Sequence, residues 1–156
     1  MLKLQIPGRG EYRLENILFD YNGTLAVDGA MDNEIKAKLK ELSSFLNVYI
    51  LTADTYGTVE KECGELDLGV KTFPRDNAGL EKNKILQEVG KEKSIAVGNG
   101  YNDILMLKES NLSFVVLGKE GCCGELILNG DIIFNSIYDV FDALNNPDRI
   151  KATLRS

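Results

Sequence analysis

The sequence contains no histidine. Ser-His-Asp and Cys-His catalysis are therefore excluded, and any acid–base or metal chemistry must come from Asp, Glu, Lys, Tyr, Cys or the backbone. Cysteine is scarce. Cys63, Cys122 and Cys123 form an odd set with no metal-like spacing, which argues against a disulfide framework or a zinc site. No apolar run approaches the roughly 18 residues of a membrane span. The opening MLKLQIPGRG has neither a long apolar core nor a small-residue cleavage site, so no signal peptide is expected. Basic residues are the minority, 18 against 24 acidic, and a net charge of −6 disfavours nucleic acid as a main partner. Together these absences lead to the expectation of a cytoplasmic protein with no membrane or nucleic-acid partner.

What is present suits one globular domain: 156 residues, 44% of them apolar. Short continuous apolar runs alternate with stretches of helical period. The runs at 16–20 (NILFD), 48–52 (VYILT), 69–73, 94–98 (SIAVG), 112–118 and 131–134 read as buried strands. The stretches at 32–46, 58–66, 79–90, 102–110, 122–130 and 136–146 read as helices, with Asp32 as a cap and Gly90 as a stop. Such alternation predicts an α/β, Rossmann-like three-layer sandwich, a mainly parallel sheet with helices on both faces. Residues 1–15, with Pro7-Gly8-Arg9-Gly10 at their centre, read as an N-terminal hairpin or edge strands. Residues 147–156 read as a basic tail, carrying Arg149, Lys151 and Arg155, that is solvated or serves for docking.

In an open parallel sheet, ligands bind beyond the carboxyl ends of the strands. The first core strand ends at Asp20 and the second at Thr52. The fourth ends in Gly98-Asn99-Gly100, with Asp103 one turn on, and Lys82 and Lys84 open the preceding helix. A carboxylate, a hydroxyl, an ammonium and a further acidic cluster on one rim suit a phosphoryl group and Mg²⁺.

The segments FDYNGTL (19–25), ILT (50–52), Lys82 and VGNGYNDILML (97–107) fall in the order of the four motifs of haloacid-dehalogenase-superfamily phosphohydrolases. The chain resembles that superfamily over 16–145, and within it the soluble group related to P-type ATPases. The resemblance implies a single domain over 1–156 and a catalytic set of Asp20, Asn22 and Lys82, with Asp20 as the nucleophile that becomes an aspartyl phosphate. It implies phosphate contacts from Gly23, Thr24, Thr52, Ala53 and Lys82, with Lys84 the alternative lysine. It implies Mg²⁺ held by Asp20, the Asn22 carbonyl, Asn99 and Asp103, the last directly or through water.

Two residues depart from the pattern. Asn22 stands where phosphatases of the superfamily carry the aspartate that protonates the leaving oxygen and activates water, help worth about 10²–10⁴-fold. Asn99 stands where the superfamily has a charged metal ligand. The expected enzyme is therefore a slow phosphohydrolase that favours acyl-phosphate-like substrates. The alternative is a phosphate- or metal-binding regulatory module without turnover, or a switch that keeps its aspartyl phosphate. Only 31 residues separate Asp20 from Thr52, and 29 separate Thr52 from Lys82. Neither gap holds a cap domain or a nucleotide domain. The resemblance implies that a capless member acts on large substrates or borrows a neighbouring subunit to close its site; the partners expected here are a small phosphorylated substrate or a phosphoprotein, and a second copy in a homo-oligomer. The flap 25–32, with Gly29, is a candidate specificity element; the segment 52–58 either shapes the pocket through Asp54 and Tyr56 or is simply a capped helix start. Residues 117–134 suggest helix and strand without chemistry, and a redox role for Cys122-Cys123 is the weaker reading beside simple burial.

Overall fold

The computed structural model describes residues 1–54, 58–64, 66 and 68–156. Tyr56, a candidate specificity residue, lies outside the described residues.

Two strands, β1 (Leu2–Ile6) and β2 (Gly10–Leu14), form an antiparallel hairpin with its own two-stranded sheet. Six strands follow: β3 (Asn16–Asp20), β4 (Asn47–Thr52), β5 (Gly69–Thr72), β6 (Ser94–Gly98), β7 (Leu112–Val116) and β8 (Ile132–Phe134). They make one sheet in the order β5-β4-β3-β6-β7-β8, and every pairing is parallel. From β3 the chain winds outward through β4 and β5, then crosses back to β6 and winds the other way. The reversal puts a crevice between the carboxyl ends of β3 and β6, where such sheets bind ligands.

Seven helices cover the described sheet: α1 (Asn33–Ser43), α2 (Thr58–Cys63), α3 (Ala78–Val89), α4 (Ile104–Glu109), α5 (Gly124–Ile127), α6 (Ile137–Asn145) and α7 (Asp148–Leu154). Alternation along the strands decides which helices they meet. Ile17 and Phe19 of β3 face a core shared with Ile35 and Leu39 of α1 and with Val140 and Phe141 of α6. Leu18 faces the other way, into a core with Ile85 and Leu86 of α3 and Met106 and Leu107 of α4. Asp20, two residues beyond Leu18, therefore emerges on the side of α3 and α4.

Several expectations need correction. Within the basic stretch 147–156 the solvated alternative does not hold for residues 148–154, which form α7 and bury Ile150 and Leu154 against the core that also holds Leu4 and Ile6. Its helical period, Ile150 to Leu154, is hidden in sequence by three basic neighbours. The helix expected over 122–130 shrinks to α5, leaving 118–123 as loop. The helix expected over 102–110 splits into a 3₁₀ turn at Tyr101–Asp103 followed by α4. No cap is inserted. Residues 25–32 make only a short flap, whose tip pairs Val27 with Ala30 through two 3.0 Å hydrogen bonds. Asp28 (φ 52°) and Gly29 (φ 78°) are both left-handed there, as in a type I′ turn, which Asp-Gly favours. No described helix is long and apolar enough to cross a membrane.

Candidate active site

The site is organised by a lysine in a position that a helix of this kind gives to an apolar residue. On α3 the buried residues are Ala78, Lys82, Ile85 and Leu86, one helical face. Lys82 is only 1% exposed. Its Nζ donates to Asp20 Oδ1 at 2.6 Å, to Asp103 Oδ1 at 2.7 Å and to Asn102 Oδ1 at 2.8 Å. Three donors meet three acceptors, so the ammonium is fully satisfied without water. Lys84 points to the exposed face of the same helix.

Asp103 is fully buried. Its second oxygen, Oδ2, accepts from the main-chain N–H of Gly100 at 2.9 Å and of Asn99 at 3.1 Å. That return bond forms the 3₁₀ turn and requires a close approach at Gly98, where a Cβ would lie 2.4 Å from the Asp103 carboxyl carbon. Asn99 is thereby held over Asp20. Thr24 Oγ1 lies 3.4 Å from Asp20 Oδ2 and 3.2 Å from Asn99 Oδ1, linking the two. The turn that carries Thr24 passes through Gly23 at φ 81°, where a Cβ would stand 2.3 Å from Asn99 Nδ2. Only glycine satisfies both the backbone angle and the space.

Thr52, at the end of β4, accepts the Asp54 N–H at 3.1 Å and keeps its own hydroxyl hydrogen to donate. Asp20, Asn22, Thr52, Ala53, Lys82, Asn99, Gly100, Asn102 and Phe73 line one cavity of about 200 Å³. Of the residues expected at the site, Gly23, Thr24 and Asp103 lie behind this lining, as packing and hydrogen-bonding supports.

Sequence reading missed the loop 118–123. Asn99 Nδ2 donates to the Gly121 carbonyl at 3.1 Å, the Cys123 N–H donates to the Asn99 carbonyl at 2.8 Å, and Glu120 accepts from the Asp28 N–H of the flap at 2.6 Å. Residues 117–134, expected to carry no chemistry, thus fix a site residue through main-chain groups. The two loop groups that hold Asn99, the Gly121 carbonyl and the Cys123 N–H, are main-chain, so no side-chain pattern could have announced them.

Burial pushes the Asp20 carboxyl up, and the nearby Asp103 charge adds to it. Lys82 and Thr24 pull the other way, and the balance is about 7. For Lys82, burial favours the neutral amine, but Asp103 and Asp20 outweigh it and the net shift is upward. One ammonium between two carboxylates leaves an excess of one negative charge in a buried place, which favours an added cation. The donors near Asp20 are all oxygens, as Mg²⁺ requires. The described residues contain no cluster of three or more His, Cys, Asp or Glu for a metal. An ion here would instead rest on Asp20, the Asn22 carbonyl, the Asn99 amide oxygen and water. Both Asp103 oxygens are engaged, so Asp103 fits a role through water.

The six-stranded parallel sheet with its short flap and, among the described residues, no inserted cap is a fold shared with several solved structures. The cobalt-bound deoxy-D-mannose-octulosonate 8-phosphate phosphatase of Haemophilus influenzae superposes with a TM-score of 0.72 at 12% identity, over 92% of this chain and 94% of that one. The 3-deoxy-D-manno-octulosonate 8-phosphate phosphatase of Moraxella catarrhalis, solved with magnesium, phosphate and KDO, gives 0.68 at 17% identity over 91% and 94%. A protein assigned to the HAD family of hydrolases, from Streptomyces avermitilis, gives 0.65 at 15% identity over 84% of each chain. No protein-family model matches the chain. In sequence it is 46% identical over 80 residues to the uncharacterized protein MJ0073 of Methanocaldococcus jannaschii, spanning 86% of that protein and 49% of this chain. It is also 46% identical over 39 residues to the uncharacterized MJ0072 of the same organism, spanning 89% of it and 25% of this chain. The chain belongs to the family of these archaeal proteins.

Proposed function

We propose that the chain is a magnesium-dependent HAD-type phosphohydrolase acting on a small phosphorylated substrate. The observation that carries this reading is Lys82, buried at the switch-point cavity and bonded to Asp20 and Asp103 together. A structural lysine seldom occupies a core position, because burying an ammonium is costly unless it is paired. Here the pairing holds a carboxylate at the mouth of a polar cavity.

Asp20 attacks phosphorus in line. A new bond forms from its carboxylate oxygen, the bond from phosphorus to the leaving oxygen breaks, and that oxygen departs with the electron pair. Lys82 and the Thr52 hydroxyl offset charge on the phosphoryl oxygens. Asp20, the Asn22 carbonyl and the Asn99 amide oxygen would hold Mg²⁺, whose positive charge would favour the ionised form of Asp20 against the effect of burial. Water then attacks the phosphorus of the aspartyl phosphate, the Asp20 carboxylate leaves with the bonding electron pair, and the proton that the water loses passes to solvent. Asn22 lines the cavity where a proton donor is needed, and an amide gives none. Leaving groups that depart without a proton, carboxylates from acyl phosphates above all, are therefore favoured. That preference, and the kinship to soluble P-type ATPase-like proteins, are part of the proposal.

The test offers acetyl phosphate and p-nitrophenyl phosphate with Mg²⁺ to the protein and to Asp20→Asn. Turnover by the wild type alone, faster on acetyl phosphate, is expected. Equal rates in both proteins would remove Asp20 from the chemistry. Binding of a phosphate analogue without any turnover favours the regulatory module, for which the paired Asn22 and Asn99 are the specific observation.

A further inference from the structure

A second and larger cavity, about 390 Å³, adjoins the catalytic one. The two share Asn22, Ala53 and Asn102 as lining. A leaving group bonded to a phosphoryl group at Asp20 extends into this space. Its wall includes Tyr21, Gly29 and Val59, which are uncharged, and two charged side chains, Asp54 and Arg75. The Asp54 Oδ2 accepts the Val59 N–H at 2.9 Å, so this carboxylate is tied to the wall. Arg75 is different. It sits in the turn between β5 and α3, is exposed, and makes no ion pair or hydrogen bond within the described residues. Among the other exposed arginines, Arg9, Arg13 and Arg149 each lie within 4.0 Å of a carboxylate, whereas Arg155, also without an ion pair among the described residues, follows α7 and lines neither cavity. A guanidinium left with all its donors at the edge of a cavity suits a planar anion that accepts two hydrogen bonds.

We propose that Arg75 selects substrates carrying a second anionic group, a carboxylate or a phosphate, at the end remote from the scissile phosphoryl group. This deepens the phosphohydrolase reading and rests on it. Asp54 repels an anion placed beside it and so restricts that group to the Arg75 side. It also accepts a hydroxyl from the body of the substrate. Asn22 and Arg75 together then describe one substrate class: an activated phosphate whose leaving portion ends in an anion.

Non-reacting phosphonates test the inference without requiring turnover. Isothermal titration with Mg²⁺ present compares n-alkylphosphonates with ω-phosphonoalkanoates and with α,ω-bisphosphonates of graded chain length. At the best-fitting length the wild type is expected to bind one of the doubly anionic series about tenfold more tightly than the alkylphosphonate. Which series wins distinguishes carboxylate from phosphate. The ratio is expected to fall to about one in Arg75→Gln and to recover in part in Arg75→Lys, which restores charge without the planar fork. A ratio near one in the wild type at every length, or an undiminished ratio in Arg75→Gln, overturns the assignment while leaving the phosphate site standing. If no phosphonate binds the wild type at all, the phosphate-site reading falls with it.

Discussion

Lys82 shows how one side chain makes a site out of a helix. One of its three hydrogen-bond acceptors comes from β3 (Asp20) and two from the 3₁₀ turn after β6 (Asn102 and Asp103), so it joins the two halves of the switch point. Replacing it by methionine keeps the volume and removes the charge. Two buried carboxylates are then left facing one another, and the cost is expected to be about 3 kcal/mol or more near neutral pH. The loss should itself depend on pH. Burial and the Asp103 charge already raise the Asp20 carboxyl, and without Lys82 it loses its main counter-charge and rises further, so the folded state binds more protons than the unfolded one. Stability is therefore regained as pH falls toward the unfolded value near 4. Urea midpoints of Lys82→Met and wild type in magnesium-free buffer, at about pH 7.5 and about pH 5.5, measure this directly. A constant difference between the two proteins would contradict it. Asn22 poses the opposite question, since here a charge is missing. Asn22→Asp supplies a proton donor where the cavity has none, and should raise hydrolysis of an alkyl phosphate by about 100-fold while acyl phosphate hydrolysis changes far less. The ratio of kcat values for glycerol phosphate and acetyl phosphate reads the effect.

At the scale of elements, local chemistry marks where segments begin, while their lengths depend on contacts from afar. Asp32 caps α1 by accepting the Ile35 N–H at 2.9 Å, and it also accepts the phenol of Tyr138 from α6. The hydrogen bond from Tyr138, aided by the cap, holds its carboxyl below the ordinary value. Asp32→Ala should cost about 1 kcal/mol at neutral pH. A depressed carboxyl contributes fully above its unfolded value near 4, and loses its contribution as pH falls through the folded value. The gap between wild type and Asp32→Ala in denaturant titrations should thus narrow at about pH 3, and a gap equally wide there would exclude the mechanism. This cap was legible in sequence, as were the six core strands and the strand-end positions of Asp20 and Thr52, because buried parallel strands read as continuous apolar runs. The 3₁₀ turn at Tyr101–Asp103 was not legible. It arises because the Asp103 carboxylate reaches back to two main-chain N–H groups, a choice forced by its third bond to Lys82 on another helix. The choice between Lys82 and Lys84 was open in the motif order alone, yet the helical period contained it: Ala78, Lys82, Ile85 and Leu86 share a face that excludes Lys84.

At the scale of the whole molecule, the two sheets raise the question of what joins them. The hairpin of β1 and β2 is not hydrogen-bonded into the main sheet, and an isolated two-stranded hairpin is marginal in water. Helix α7 supplies the connection, packing on both β1 and β8. Ile150 is fully buried and Leu154 nearly so, in the same core as Leu4, Ile6 and Leu14. The Ser156 N–H also donates to the Pro7 carbonyl at 3.2 Å, next to the hairpin turn. A basic composition concealed this role, since long cationic side chains on one face of a short helix leave only two apolar residues to announce the other. Removing residues 147–156 withdraws two buried aliphatic side chains, each worth about 1.5–3 kcal/mol, and exposes apolar hairpin surface besides. The truncated chain is expected to be less stable by about 3–6 kcal/mol, and a free tail would predict no change. The site lies at the carboxyl ends of β3 and β6, away from this contact, and its geometry rests on α3 and the loop 118–123. Phosphonate binding by the truncated protein, measured well below its melting temperature, should therefore remain close to that of the full chain. Amide hydrogen exchange should show faster opening in β1 and β2 and unchanged protection in β3 and β6. Loss of protection in β3 and β6 to the same degree would mean that α7 supports the entire sheet and not the hairpin alone.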